Sequence, residues 1–259
     1  MKILVCIKQV PDSDHELAIH PYTGEIGFAG RPAYKMNRYD EYAAETALQI
    51  REKVDQTTVD AVSVGPESAA EVLKRTLGMG ADHGILIQQS AAEAPRPLAV
   101  AAAIARLVER DVYDLVITGA LSEDEMNGTT GSMIAACLGW PCATNVVTTS
   151  PQADGSAVGA EREVDGGARE LLEIPMPAVL TVQTSASQPR YPSLSMMLRA
   201  NRHRLDIHNL EAMATEPACE RTVKIDYPVG SRSGVRLSGS TETKAAELIQ
   251  FLRKKGLLP

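Results

Sequence analysis

Short, nearly continuous apolar runs alternate along the first half of the chain with longer stretches in which apolar positions return every three or four residues. The first run, Lys2 to Ile7 (KILVCI), has the composition of a strand buried on both faces, and Lys8 to Pro11 ends it. Asp12 to Pro32 is polar and rich in turn residues. Within it, Pro21 to Glu25 (PYTGE) is predicted as a hairpin turn between strands at Leu17–Ile19 and Ile26–Phe28. Asn37 is predicted to cap a helix running to about Glu52, with Tyr42, Ala43, Thr46, Ala47 and Ile50 on its apolar face. Strands follow at Thr58–Val64, Ile85–Gln88 and Leu115–Ile117, and helices at Ser68–Leu77, Pro97–Arg110 and Gly131–Leu138. Strands alternating with helices in this way imply right-handed crossovers and an α/β fold built on a doubly wound, mostly parallel sheet.

After Pro141 the rhythm changes. Thr144–Thr149, Ala157–Val164 and Ala168–Glu173 alternate at strand spacing, with turn residues at Pro151–Gly155 and Asp165–Gly167 between them. They predict an antiparallel meander added to the sheet. Ala178–Thr184 is one further apolar strand. From Ser185 to Met213 the pattern predicts irregular chain, and residues 214–240 hold few apolar positions, as in an extended arm without a core of its own. A helical pattern returns at Thr241–Lys255, and Gly256 stops it. A terminal helix reached by a long arm is expected to pack on something, and a partner chain is the natural candidate.

Composition narrows the function. The 259 residues carry 44% hydrophobic but only 4% aromatic residues, so the core must be built from Val, Leu, Ile and Ala. A net charge of −7 argues against general nucleic-acid binding. Cys6, Cys137, Cys142 and Cys219 show no metal-ligand spacing, and Cys6 and Cys137 lie in apolar segments expected to be buried, as in a reduced, cytoplasmic protein. Met1 leads directly into a strand, and no apolar run approaches the roughly 18 residues of a membrane span, so neither a signal peptide nor a span is expected.

The chemistry-bearing stretch is Tyr113 to Pro141, a strand, a polar loop from Gly119 to Thr129, and a small-residue helix. At the carboxyl end of a strand, the N–H groups that open the next helix favour an anion. Thr129, Thr130 and Ser132 add hydroxyls there, and Gly128 and Gly131 are expected to let a ligand approach the backbone. The same residues also suit an ordinary loop whose threonines cap the helix, and the sequence leaves both readings open. No GxxxxGK[ST] is present. Gly78, Gly80 and Gly84 follow a helix and precede a strand, the order of a helix C-cap rather than of a dinucleotide fingerprint. Glu123-Asp124-Glu125 suits either a Mg²⁺ site or, more simply, a solvated loop. The five histidines are expected at the surface and no metal site is assigned. No GxSxG, HExxH or paired Cys and His marks a catalytic residue. Arg199, Arg202, His203 and Arg204 form a basic cluster, either a solvated face or a docking surface for an acidic partner.

Three stretches together resemble the small (beta) subunit of electron-transfer flavoproteins. They are KILVCIKQVPD at the start, MNRYDEYAAETAL followed by VGPES and TLGMGAD, and QPRYPSLSMMLRA, the last being the most specific. The likeness spans essentially the whole chain. It implies a heterodimer with an alpha subunit that holds most of an FAD site, while the beta subunit contributes an adenine-nucleotide-binding, Rossmann-like domain. It implies nucleotide contacts from Cys6, Asn37, Arg38, Tyr39, Asp40 and Val64, and from Asp124, Asn127, Gly128, Thr129, Thr130, Gly131, Ser132 and Met133. The family loop follows Q-[AS]-x-D-x-D-x-x-Q-[TV]-G. This chain matches it at Asp124, Thr130 and Gly131 and departs from it at Leu121, Met126 and Thr129. By the same resemblance Arg190, Tyr191, Leu194 and Met197 belong to a loop that docks on acyl-CoA dehydrogenases, with Leu194 as its anchor.

The division this implies is a nucleotide-binding domain over 1–185, a docking loop and helix over 186–205, and an arm and helix over 206–259 that packs on the alpha subunit. The function implied is that of an electron carrier passing electrons from acyl-CoA-type dehydrogenases to a downstream redox acceptor. Such a chain makes and breaks no substrate bond itself, and AMP in its own site is structural. Two alternatives stand beside it: a second FAD in the beta site, oxidising NADH in an electron-bifurcating complex, and a stand-alone adenine-nucleotide-binding regulatory module.

Overall fold

The computed structural model describes residues 1–12, 17–19, 26–28, 32–89, 95–184, 187–213, 223–227 and 234–259. The chain opens with β1 (Lys2–Cys6) and four short strands, β2 (Gln9–Pro11), β3 (Leu17–Ile19), β4 (Ile26–Phe28) and β5 (Tyr34–Met36). Then come α1 (Arg38–Lys53), β6 (Thr58–Gly65), α2 (Ala70–Met79), β7 (His83–Gln88), α3 (Pro97–Asp111), β8 (Leu115–Gly119) and α4 (Thr130–Leu138). The strands β9 (Cys142–Pro151), β10 (Ala157–Val164), β11 (Ala168–Pro175) and β12 (Ala178–Val182) precede α5 (Leu194–Arg202), β13 (Asp206–Asn209), α6 (Leu210–Met213) and α7 (Thr241–Lys254).

Nine of these strands form one sheet in the order β11-β10-β9-β12-β8-β1-β6-β7-β13. Every pairing from β9 through β12, β8, β1, β6 and β7 to β13 is parallel. The pairings of β10 with β9 and β11 are antiparallel, so the meander is the expected addition at one edge. Alternation along β1 explains the two layers of helices. Ile3 and Val5 face one core with Leu48 of α1 and Leu73 of α2, while Leu4 and Cys6 face a second core with Ile104 and Leu107 of α3 and Ile134 of α4. A strand buried on both faces needs apolar residues at every position, which is why KILVCI reads as continuous.

The structure corrects the sequence in several places. Ser185–Met213 is not irregular over its described residues: it contains α5, the edge strand β13 and the single turn α6. Only four residues long and with Ile207 exposed, β13 owes its form to pairing with β7, which no local pattern signals. The pair of β2 and β5 is likewise absent from the sequence reading. Cys6 is buried as expected but Cys137 is exposed, because α4 turns Gly131, Met133, Ile134, Ala135 and Leu138 toward the core and leaves Ala136 and Cys137 on its outer face. Gly80, with φ of 129°, ends α2 as the glycine cluster predicts. The predicted turn at Pro21–Glu25, with His15 and His20, lies outside the described residues.

The chain divides into two compact units, Met1–Ala18 with Ile26–Val223, and Ile19–Glu25 with Lys224–Pro259. The first contains the nine-stranded sheet. The second contains α7, begun by Ser240, whose hydroxyl accepts from the Thr243 N–H, and carrying the exposed apolar residues Leu248, Ile249 and Phe251. No helix among the described residues is long and apolar enough to cross a membrane.

Candidate functional site

From β1 the chain crosses through α1 to β6 on one side, and from β7 it returns through α3 to β8 on the other side of β1. Where strand order reverses, neighbouring connections part and leave a crevice at the carboxyl ends of the strands. A cleft of about 550 Å³ lies there. One wall is apolar, from Cys6 at the end of β1, Val62 and Val64 on β6, and Val100 and Ile104 on α3. The other is polar, from Asn37 and Asp40 at the start of α1 and from Ser122, Asp124, Asn127 and Thr130 between β8 and α4.

Asp40 ties these elements together. Its Oδ2 accepts the Lys8 N–H at 2.7 Å and its Oδ1 accepts the Gly119 N–H at 3.1 Å, so one carboxylate joins the ends of β1 and β8 to the first turn of α1. Gly119 is required: a Cβ there would strike Asp40 Oδ1 and lie 2.8 Å from Tyr39 Cβ. Burial pushes the Asp40 carboxyl up to about 7, although the hydrogen bonds from Lys8, Asn37 and Gly119 and the Lys8 charge pull the other way. The folded-state pKa thus lies above the unfolded one, so the stability this group allows is full below about pH 4 and is lost as pH rises through 7. In Asp40→Asn, which does not titrate, the fall of the urea midpoint between about pH 5 and pH 8 is expected to flatten. Burial and the neighbouring Asp40 together push the Cys6 thiol up, which keeps it neutral and a poor nucleophile.

Asn37 occupies the N-cap position of α1 but makes no capping bond. Its Nδ2 donates to Leu121 O at 2.9 Å and its Oδ1 accepts the Glu123 N–H at 3.1 Å, so it fastens the β8–α4 loop instead. Glu123 returns the exchange, its Oε2 accepting the Arg38 N–H at 3.1 Å and so capping α1 from outside. The loop closes on itself through Asn127. Its backbone oxygen accepts the Ser122 N–H at 3.0 Å, and its Oδ1 accepts from the N–H and hydroxyl of Thr129 at 2.9 and 2.7 Å. Lys8 Nζ pairs with Asp124 at 2.9 Å and with Glu125 at 3.4 Å, so the acidic triplet is a charge-paired loop. Among the described residues no cluster of His, Cys, Asp and Glu is placed to hold a metal. No side chain caps α4, and the hydroxyl of buried Ser122 has no hydrogen-bond partner among the described residues.

Of the residues assigned to the nucleotide by resemblance, Cys6, Asn37, Asp40, Val64, Asp124, Asn127, Gly128 and Thr130 line the cleft, whereas Arg38, Tyr39, Thr129, Gly131, Ser132 and Met133 do not. Packing also requires both glycines. A Cβ on Gly131 would lie 2.5 Å from Thr181 Cγ2 and 2.7 Å from Thr118 Oγ1, and one on Gly128 would lie 2.7 Å from Ala120 O. Lys8, Ser68, Val100, Ile104 and Ser122 also line the cleft and escape the sequence reading. Lys8 carried a usable signal, since it directly follows the first strand; Val100 and Ile104 read only as helix core.

At the far end of α1, the Arg190 N–H, Nε and Nη2 donate to the Glu45 carboxylate at 3.0, 2.8 and 2.9 Å, and Nη1 donates to Glu52 at 2.8 Å. Burial raises the pKa of Glu45, but the bonds and charge of Arg190 outweigh it and hold the carboxyl below its ordinary value. Tyr191 and Leu194 are 87% and 78% exposed, Met197 is half-buried against Gly78 of α2, and Arg199, Arg202, His203 and Arg204 are exposed.

Comparison with known proteins agrees with this architecture. The family model described as electron transfer flavoprotein domain matches residues 28–215. The electron transfer flavoprotein subunit beta of Homo sapiens is 32% identical over 257 residues, covering 98% of each chain. That of Bradyrhizobium diazoefficiens is 32% identical over 256 residues, again 98% of each, and that of Syntrophomonas wolfei is 31% identical over 256 residues, 98% of this chain and 96% of the relative.

Proposed function

This chain belongs to the electron transfer flavoprotein family as a beta subunit, and we propose that it is the nucleotide-binding half of a cytoplasmic heterodimeric electron carrier. In this reading an alpha subunit holds most of the FAD, and the pair relays electrons from acyl-CoA dehydrogenase-type donors to a downstream redox acceptor. The observation that carries it is the cleft at the strand reversal, apolar on one wall and open to an uncapped helix N-terminus on the other. That combination suits a mononucleotide. Val64, Val100 and Ile104 would hold the base, the first N–H groups of α4 would receive the phosphate, and Ser122 would supply a hydroxyl that has no other partner among the described residues.

AMP bound there is structural. Residues of β1, β6, α1 and the β8–α4 loop would hold it, and this chain would move no proton or electron through it. FAD supplies the redox chemistry of the pair, and this chain's part is to hold its nucleotide, to dock and to position. We assign residues 1–185 to nucleotide binding and 186–205 to docking. Residues 206–209 complete the sheet as β13, and the remainder to 259 carries α7, whose Leu248, Ile249 and Phe251 suit a surface covered by the alpha subunit.

The test is the nucleotide content of the purified complex, co-expressed with its flavin-bearing partner and denatured. One FAD and one AMP per heterodimer is expected. Two FAD without AMP would replace this reading with the bifurcating one, and a stable, flavin-free monomer would favour the regulatory module. Leu194→Ala is expected to leave nucleotide content unchanged. It should weaken donor docking about 10- to 150-fold, because burying a leucine contributes about 1.5–3 kcal/mol. Steady-state reduction at varied dehydrogenase concentration measures this, and an unchanged KM would end the docking assignment.

A further inference from the structure

We propose that Arg190 is a positioning residue for donor docking: anchored on Glu45 and Glu52 of α1, it fixes the chain that presents Leu194 and does not itself touch the donor. This rests on the reading of Leu194 as the docking anchor. The geometry of the arginine is the reason to separate the two residues. Its backbone N–H and two guanidinium nitrogens converge on one carboxylate, that of Glu45, which is only 5% exposed and also accepts from Gln49 Nε2 at 3.1 Å. A third guanidinium nitrogen is taken by Glu52. A planar fork of donors meeting a buried carboxylate is strong and directional, and it leaves the group poorly disposed to meet a second protein.

Further contacts hold the segment on both sides of Leu194. Pro192 is buried, Ser193 Oγ accepts the Met196 N–H and begins α5, and Met197 packs so closely on α2 that a Cβ on Gly78 would lie 2.5 Å from its Sδ. Leu194 thus stands 78% exposed between two attachments, one to α1 and one to α2. An anchor whose backbone is already fixed loses little freedom on association, so the attachments lower the cost of docking without adding contact. Lysine cannot replace the fork, because a single ammonium meets only one oxygen at a time.

The test uses the complete heterodimer, with an acyl-CoA dehydrogenase as electron donor, and compares Arg190→Lys, Glu45→Gln and Leu194→Ala. Arg190→Lys and Glu45→Gln are expected to speed amide hydrogen exchange over residues 190–200 about tenfold. They should also raise the KM for the dehydrogenase about fivefold with kcat retained. Leu194→Ala should raise KM with exchange unchanged. The proposal is overturned if the first two variants match wild type in exchange and KM while Leu194→Ala does not. A raised KM with unaltered exchange in Arg190→Lys also overturns it, because the arginine would then meet the donor directly. If Leu194→Ala leaves KM unchanged, the docking reading falls first and takes this assignment with it.

Discussion

Replacing Asp40 with alanine is expected to lower the melting midpoint by roughly 4–24 °C and to strip the cleft of nucleotide. The side chain is 5% exposed and satisfies two backbone N–H groups, those of Lys8 and Gly119, each at the end of a different parallel strand. Truncation leaves both donors without their acceptor. Orphaning a buried N–H costs about 1–3 kcal/mol, hence roughly 2–6 kcal/mol for the pair, and a domain of this size loses roughly 2–4 °C per kcal/mol. One term opposes the loss: above pH 7 the wild-type protein carries a buried carboxylate held against an unfavourable shift. The drop should therefore be larger near pH 5.5 than near pH 8, which calorimetry at the two values measures. Equal melting of variant and wild type at both pH values would show that the ends of β1 and β8 hold together without this residue.

Gly131→Ala should be nearly as damaging, although it adds one methyl group on the second residue of a helix, where alanine is normally favoured. That methyl would lie 2.5 Å from Thr181 Cγ2 on β12 and 2.7 Å from Thr118 Oγ1 on β8. To accept it, α4 must lift off the sheet, at a cost of about 1–3 kcal/mol, and its N-terminal N–H groups must leave the cleft. Lower thermal stability and weaker nucleotide retention are expected together. Thr181→Ser in the same chain should restore part of both, since it removes the nearer atom and keeps the hydroxyl that accepts the Asn145 N–H. Loss of stability without any rescue would locate the damage elsewhere in α4.

Both predictions concern residues whose importance the sequence shows only in part. Asp40 is visible as an acidic residue in the first turn of a helix, a common and unremarkable place for one. Its two strand-end donors lie 32 and 79 positions away in the chain. Gly131 is visible as a glycine beside a loop, which suggests an approaching ligand, whereas the approaching atoms belong to two threonines of the sheet. The Arg190 motif is legible as a family signature. Only the fold shows its guanidinium bound to Glu45.

By itself the sequence determined the class of this protein and most of its elements. Unbroken apolar runs demand strands covered on both faces, and helical periodicity between them demands crossovers, so a doubly wound parallel sheet with an antiparallel edge follows from local pattern alone. It also placed the β8–α4 loop at a strand end, where a ligand site belongs. The tertiary structure alone decided which residues meet. It put Val100 and Ile104 opposite the loop, spent Asn37 and Glu123 on each other's segments, and made a strand of Asp206–Asn209 by offering it the edge of β7. Contacts of that kind are set by strand order and register across long separations in the chain, and neither the propensity of a residue nor the period of its neighbours carries that information.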